Sequence, residues 1–401
     1  MGDGFKAITG GTVTSPQGFL AGAVEARIKS PDKLDLAVLY SEKPCVAAGI
    51  FTTNLIKSAS VLVSKKHLKN GKGQAVIVNS GCANACTGDS GILDAVEMSK
   101  LVAEKLGLSM EDVLVASTGV IGVPLPMVKI RAGIRRIVPM KDGGHKLARA
   151  MMTTDTFPKQ IAVKVESKEG RFIIGGVAKG AGMIHPDMAT LLSFLTTDAT
   201  VDTHFLKAAL QQAVASSFNM VTIDGDTSPS DTALILANGM AKTATINNRN
   251  GEIFQKALDE VCLYLAKCIA KDGEGATKSI EVSVEQALTE KQARLAARAV
   301  AGSPLFKAAM YGNDPNWGRI VAAVGRSGAR VSEKKLEVFL NGVCVMKHGT
   351  PAHFDEQKMR RSLAGKEVRV RLCLNLGRGK ATAWGCDLSE EYVTINSAYT
   401  S

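Results

Sequence analysis

Ala75-Val76-Ile77-Val78 is followed by Ile92-Leu93-Asp94-Ala95-Val96-Glu97-Met98-Ser99-Lys100-Leu101-Val102-Ala103-Glu104-Lys105-Leu106, and this pair of segments decides the fold class. The first is short, apolar and β-branched, as a buried strand requires. The second repeats its apolar residues at helical spacing, so one face of it is apolar. The alternation continues outward. Leu36 to Tyr40 and Val61 to Ser64 read as strands, and Thr203 to Ser217 and Glu252 to Lys271 as amphipathic helices. Asp202 or Thr203 can cap the first helix, and Gly273 and Gly275 stop the second. The chain is α/β on this reading.

After Lys278 the texture changes. Ser279 to Val284 is strand-like, Leu288 to Ala301 helical, Leu336 to Leu340 strand-like again, and Val368-Arg369-Val370-Arg371-Leu372-Cys373-Leu374 alternates strictly. A main domain over 1–278, a smaller α/β domain over 279–390 and a tail over 391–401 are therefore expected. A length of 401 residues with 45% hydrophobic content is enough for two cores at about 150 residues per domain.

Composition excludes several classes of function. The longest uncharged apolar candidate, Val113 to Val128, contains Ser117, Thr118, two glycines and two prolines, which is wrong for a membrane span of about 20 apolar residues. Met1-Gly2-Asp3-Gly4-Phe5-Lys6 does not lead into a secretory apolar run, so a cytoplasmic home is expected. Eight cysteines scattered over the chain read as thiols rather than as a zinc site or a disulfide framework. The net charge of +11 raises the question of nucleic acid. The basic clusters, Lys65-Lys66-His67-Leu68-Lys69 and Lys334-Lys335, carry no interleaved aromatics, and aromatics total 5%, so solvated faces or anionic small molecules fit better.

The common catalytic signatures are missing. Gly273-Glu274-Gly275-Ala276-Thr277-Lys278-Ser279 lacks the glycine before lysine of a phosphate loop, and Gly325-Arg326-Ser327-Gly328 is one residue short of a nucleophile elbow. The six histidines show no metal spacing, so no metal is expected. What stands out is Lys179-Gly180-Ala181-Gly182-Met183-Ile184-His185-Pro186-Asp187-Met188-Ala189-Thr190-Leu191-Leu192. A strand-like run, Phe172 to Val177, feeds a loop, and Thr190 opens a further strand-like stretch ending at Thr197-Asp198. If the loop strains the Ala189–Thr190 peptide, the Thr190 hydroxyl can attack the preceding carbonyl, and water can then cut the resulting ester. The freed α-amine, with a reference pKa of about 7.7 to 8.0, would serve as base on its own hydroxyl. The same residues also make an ordinary Gly/Pro turn before a strand.

The segment from Lys179 to Leu192 resembles the self-cleavage segment of the ornithine acetyltransferase family, the glutamate N-acetyltransferases of the cyclic arginine pathway. Distant segments resemble the family too: Ala116 to Gly122, Thr153-Thr154-Asp155-Thr156, Asp224 to Ser228, Gly312 to Arg319 and Thr394 to Ser401. The resemblance spans essentially the whole chain.

The resemblance implies a layered helix–sheet–sheet–helix main domain of the N-terminal-nucleophile kind. It implies a cut between Ala189 and Thr190, and transfer of acetyl from N2-acetylornithine to glutamate through an ester on Thr190. Thr118 and Gly119 match the oxyanion hole. Thr156, Lys179, Thr190, Glu274, Asn396 and Ser401 match substrate contacts, with Ser401 standing where the family commonly has Thr. An assembly of two α and two β chains is implied, with acetyl-CoA as a possible co-substrate and no cofactor. An N-terminal-nucleophile amidohydrolase or aminopeptidase is the alternative, because water could resolve the same ester.

Overall fold

The computed structural model describes residues 4–185 and 191–398. Its larger sheet is built from β1 (Phe5–Ala7), β2 (Phe19–Val24), β3 (Leu36–Phe51), β4 (Lys72–Cys82), β5 (Val113–Val120), β6 (Lys159–Ser167), β7 (Gly170–Lys179), β8 (Leu192–Thr197) and β9 (Thr232–Ala237). The strand order is β1-β6-β7-β8-β9-β3-β4-β5, with β2 also on β3. Pairing is antiparallel except for β4–β5 and β8–β9.

One strand explains how this sheet becomes two layers. β3 pairs with β4 and β2 through its first residues and with β9 over Val46 to Phe51, and its register with β4 shifts between Tyr40 and Cys45. A bulge of this kind bends a strand, so β3 passes from one half of the sheet to the other. Side-chain alternation then sorts the core. Leu39, Val76, Val78, Leu114 and Ala116 from one half meet Val177, Leu192, Phe194, Leu234 and Leu236 from the other, forming the layer between the halves. The opposite faces pack helices. Leu36, Val38, Ala75, Ile77, Val113 and Val115 lie under α1 (Ala59–His67), α2 (Gly88–Leu106) and α3 (Met127–Arg136). α4 (Gly144–Met151) joins the inner layer through Leu147 and Met151. Ile174, Leu195 and Ile235 lie under α5 (Thr203–Ser216) and α6 (Glu252–Lys271). The order of layers is helix–sheet–sheet–helix, as the family resemblance implied.

A second sheet holds β10 (Ser279–Ala287), β11 (Glu337–Leu340), β12 (Val343–Lys347), β13 (Thr350–Pro351), β14 (Glu367–Cys373) and β15 (Gly379–Cys386), in the order β13-β12-β11-β14-β10-β15. α7 (Glu290–Ala301), α8 (Pro304–Tyr311), α9 (Trp317–Gly325), α10 (Glu356–Leu363) and α11 (Glu390–Ser397) complete this part of the chain. The core under α5 and α6 continues into it: Val282, Val284, Ala297, Val300 and Trp384 belong to the same buried cluster as Phe254, Leu258 and Leu265. Among the described residues no helix is long and apolar enough to cross a membrane.

Val61 to Ser64, expected as a strand, belongs to the helix α1. The Ser58 side chain caps it by accepting from the Val61 N–H. The Ser64 hydroxyl donates to the Val115 carbonyl at 2.7 Å and accepts from its N–H at 2.7 Å. Four residues, three of them apolar, are too few to separate the two periods, and packing against β5 decides between them. The strand expected over Leu36 to Tyr40 runs on to Phe51, because beyond the bulge it pairs with β9; the other segments fall where expected to within a few residues. For example, Leu288 to Ala301 becomes Glu290–Ala301, because Thr289 caps it through the Gln292 N–H.

Candidate active site

The site begins where β4 and β5 draw together at their C-terminal ends. Their parallel register is interrupted there: Gly81 lies opposite Gly119, while Cys82 faces both Thr118 and Val120. Gly119 has φ +132°, and a Cβ on it would stand 2.2 Å from the Gly81 carbonyl carbon, so no other residue fits without moving backbone. Gly119→Ala is expected to destabilise the protein by about 2 kcal/mol or more. Equal denaturant midpoints for the variant and the parent would contradict this. The close approach fixes Thr118, which lies at the rim of a cavity of about 130 Å³.

Lys179, the last residue of β7, reaches Thr118 across the inner layer, with its Nζ 3.1 Å from the Thr118 Oγ1. An ammonium can only donate. Thr118 therefore accepts from Lys179, and its own proton remains available to an atom inside the cavity. Burial pushes the Lys179 pKa down; Asp155 opposes the shift, Lys159 adds to it, and Asp231 and Glu274 oppose it further.

Behind Lys179 lies an ion cluster with no solvent contact to speak of. Lys159 donates to Asp155 at 2.6 Å and also to Asp272, with side-chain exposures of 0%, 0% and 3%. Asp155 accepts from the Gly180 N–H at 2.7 Å and the Thr153 N–H at 3.0 Å. Burial alone would raise the Asp155 pKa. The charges of Lys159 and Lys179 and these hydrogen bonds outweigh it and bring the pKa to about 2, so Asp155 is ionised at any working pH.

The opposite wall comes from the second half of the chain. Glu274, just past α6, lies against Gly182, where a Cβ would stand 2.3 Å from its Oε2. The Glu274 N–H donates to the Ala181 carbonyl at 2.8 Å. Asn396 of α11 donates from Nδ2 to the Glu274 Oε2 at 2.8 Å. Asp224 anchors the next turn by accepting from the Met183 and Ile184 N–H groups. Met183 takes φ 55° there, a conformation costly to a side-chain-bearing residue. Leu191 and Leu192 close the cavity together with Ser228, Pro229, Ser230 and Asp231.

Thr118, Gly119, Lys179, Glu274 and Asn396, which lie far apart in sequence, thus line one cavity. Ala189, Thr190 and Ser401 lie outside the described residues. Thr156 is not among the lining residues: its hydroxyl and N–H both donate to Asp272, and Thr153 and Thr154 of the same motif face the cavity instead. Sequence reasoning missed Asp231 and the cluster of Lys159 and Asp272. Asp155 stood within a quoted motif and four residues before Lys159, but nothing in that spacing shows that both are buried.

The ArgJ family model matches residues 20–401. The arginine biosynthesis bifunctional protein ArgJ of Dehalococcoides mccartyi is 52% identical over 395 residues, covering 98% of each chain. Its counterpart from Symbiobacterium thermophilum is 51% identical over 395 residues, covering 97% of this chain and 98% of its own. A crystal structure of arginine biosynthesis bifunctional protein argJ from Bacillus halodurans, 40% identical, superposes with a TM-score of 0.50 on 51% of this chain and 98% of its own. Since every residue lining the cavity falls within the matched region, the chain belongs to the ArgJ family.

Proposed function

We propose that the chain is a glutamate N-acetyltransferase of arginine biosynthesis, carrying acetyl from N2-acetylornithine to glutamate as an ester on Thr190, and also acetylating glutamate from acetyl-CoA. One observation carries the reading. The described chain on both sides of residues 186–190, at Gly182–Met183 and at Leu191–Leu192, lines the same cavity as Thr118, Lys179 and Glu274. The cavity thus brings oxyanion donors and charged ligands for an amino acid to the chain on either side of that short stretch.

The chemistry starts with the protein as its own substrate. The Thr190 Oγ adds to the Ala189 carbonyl, the C–N bond breaks as the nitrogen gains a proton, and water hydrolyses the ester. The freed α-amine then takes the hydroxyl proton as Thr190 attacks the acetyl carbonyl of N2-acetylornithine. The oxyanion that forms meets the Thr118 hydroxyl and the Gly119 N–H. Collapse releases ornithine, and the glutamate amine attacks the acetyl ester in the reverse sense. Lys179 suits the α-carboxylate that both substrates share, and Glu274 suits the basic nitrogen of ornithine. Thr156 and Ser401 enter as further contacts, Thr156 by release from Asp272.

The half-length match to the Bacillus halodurans chain supports a cut into an α chain of residues 1–189 and a β chain of residues 190–401, assembled two and two. The word bifunctional in the relatives' names supports the use of acetyl-CoA. The nucleophile, its base and the oxyanion donors are all protein groups, so the reaction calls for no cofactor. Eight free thiols suit the reducing cytoplasm.

Purified protein given acetylornithine and glutamate is expected to form N-acetylglutamate much faster than free acetate, and to form it also from acetyl-CoA and glutamate. Predominant acetate release would make the protein an amidohydrolase instead.

A further inference from the structure

Lys159 does not line the cavity, yet the two carboxylates that hold it are tied to three of the segments that do. Its ammonium is shared between Asp155 and Asp272, and both carboxylates go on to hold backbone. Asp155 ties the Thr153 N–H of the 153–156 turn to the Gly180 N–H directly after Lys179. Asp272 holds Thr156 by its N–H and hydroxyl, and lies two residues before Glu274, whose N–H returns to Ala181. Three stretches that supply lining residues, 153–154, 179–183 and 274, therefore converge on one nitrogen. The Lys159 side chain is fully buried, and its Nζ lies 4.9 Å from the centre of the Phe157 ring.

We infer that Lys159 is a positioning residue for the acetyl-transfer site: by holding Asp155 and Asp272, it fixes Lys179 against Thr118 and keeps Asp155 from becoming the private counter-ion of Lys179. The inference rests on the reading of the site given above.

The charge balance follows from the geometry. The groups that face Lys179 are Asp155, Lys159, Asp231 and Glu274, together with Lys29 at longer range and the Thr118 hydroxyl. Removing the Lys159 charge removes a repulsion and leaves Asp155 to Lys179 alone, so Lys179 holds its proton to higher pH. Neutralising Asp155 removes an attraction, so Lys179 loses its proton at lower pH. Transfer needs the ammonium, both as donor to Thr118 and as ligand of the carboxylate. The alkaline limb of the kcat profile therefore reports its charge.

The test is the kcat profile from pH 6 to 10.5 of the full chain and of Lys159→Met, Lys159→Arg and Asp155→Asn. In Lys159→Met, kcat is expected to fall about tenfold with a smaller change in KM, and the alkaline limb to move up by about half a pH unit or more. In Asp155→Asn the limb moves down. In Lys159→Arg, which keeps the charge, the limb stays in place whatever the loss in rate. A Lys159→Met enzyme whose limb does not move, or an Arg variant that shifts it like Met, overturns the inference. If Lys159→Met yields no folded protein, the other two variants decide: a downward shift with Asn and none with Arg supports it, and any other pattern refutes it. Absence of acetyl transfer in the parent enzyme would refute the proposed function instead, so the two failures are distinct.

Discussion

Thr190→Ala is expected to run as a single band on a denaturing gel and to be inactive with both acetyl donors. The parent should give two bands of about 20 and 22 kDa, the chain's 42.2 kDa divided between 189 and 212 residues. On the proposed mechanism the substitution removes the oxygen that attacks the Ala189 carbonyl, and with it the route to a free α-amine at that position. Scission and turnover therefore fail together. The loss should reach the detection limit, because the oxyanion donors and substrate contacts that remain have no acyl acceptor to work on. Mass spectrometry decides the matter: an active parent that proves uncut would sink the mechanism, as would a variant that is cut at 189.

Thr118→Val carries the second large effect. Valine matches the shape of threonine but has no hydroxyl, so the oxyanion loses one of its two donors. Removal of one such donor costs about 2.7–4 kcal/mol of barrier, or about 10²–10³-fold in kcat. The loss should appear in kcat rather than KM, because the negative oxygen exists only along the reaction path. Thr118→Ser keeps the hydroxyl and should keep most of the rate. The rates are to be taken per cut chain, since scission also passes through an oxyanion. A Val variant within threefold of the parent would show that the Thr118 hydroxyl contributes little to the oxyanion hole.

Much of this was legible in the residues. The α/β class followed from the change of period between Ala75–Val78 and Ile92–Leu106, and both became regular elements because β4 and α2 bury what the pattern said they would. Thr118, Lys179 and Asn396 lie in motifs long enough to carry the family resemblance, and Glu274 follows from the resemblance alone. What could not be read was set by tertiary contact. Val61 to Ser64 is helical because β5 offers Ser64 a carbonyl and an N–H. Thr156 turns from the cavity because Asp272, more than a hundred residues later, accepts both of its protons. Lys159 and Asp231 gave no signal, because a buried charge and a solvated one look alike in a sequence.

The strand order has a further consequence for a severed backbone. β8 and β9 follow the proposed break, yet they lie between β7 and β3, which precede it. Two strands of the later fragment are thus inserted into the sheet of the earlier one and held on both sides by ladder hydrogen bonds. Cutting the peptide would create two molecules in the chemical sense, joined along the β7–β8 and β9–β3 boundaries. Once cut, the fragments could part only by breaking both ladders and opening the core between the halves of the sheet.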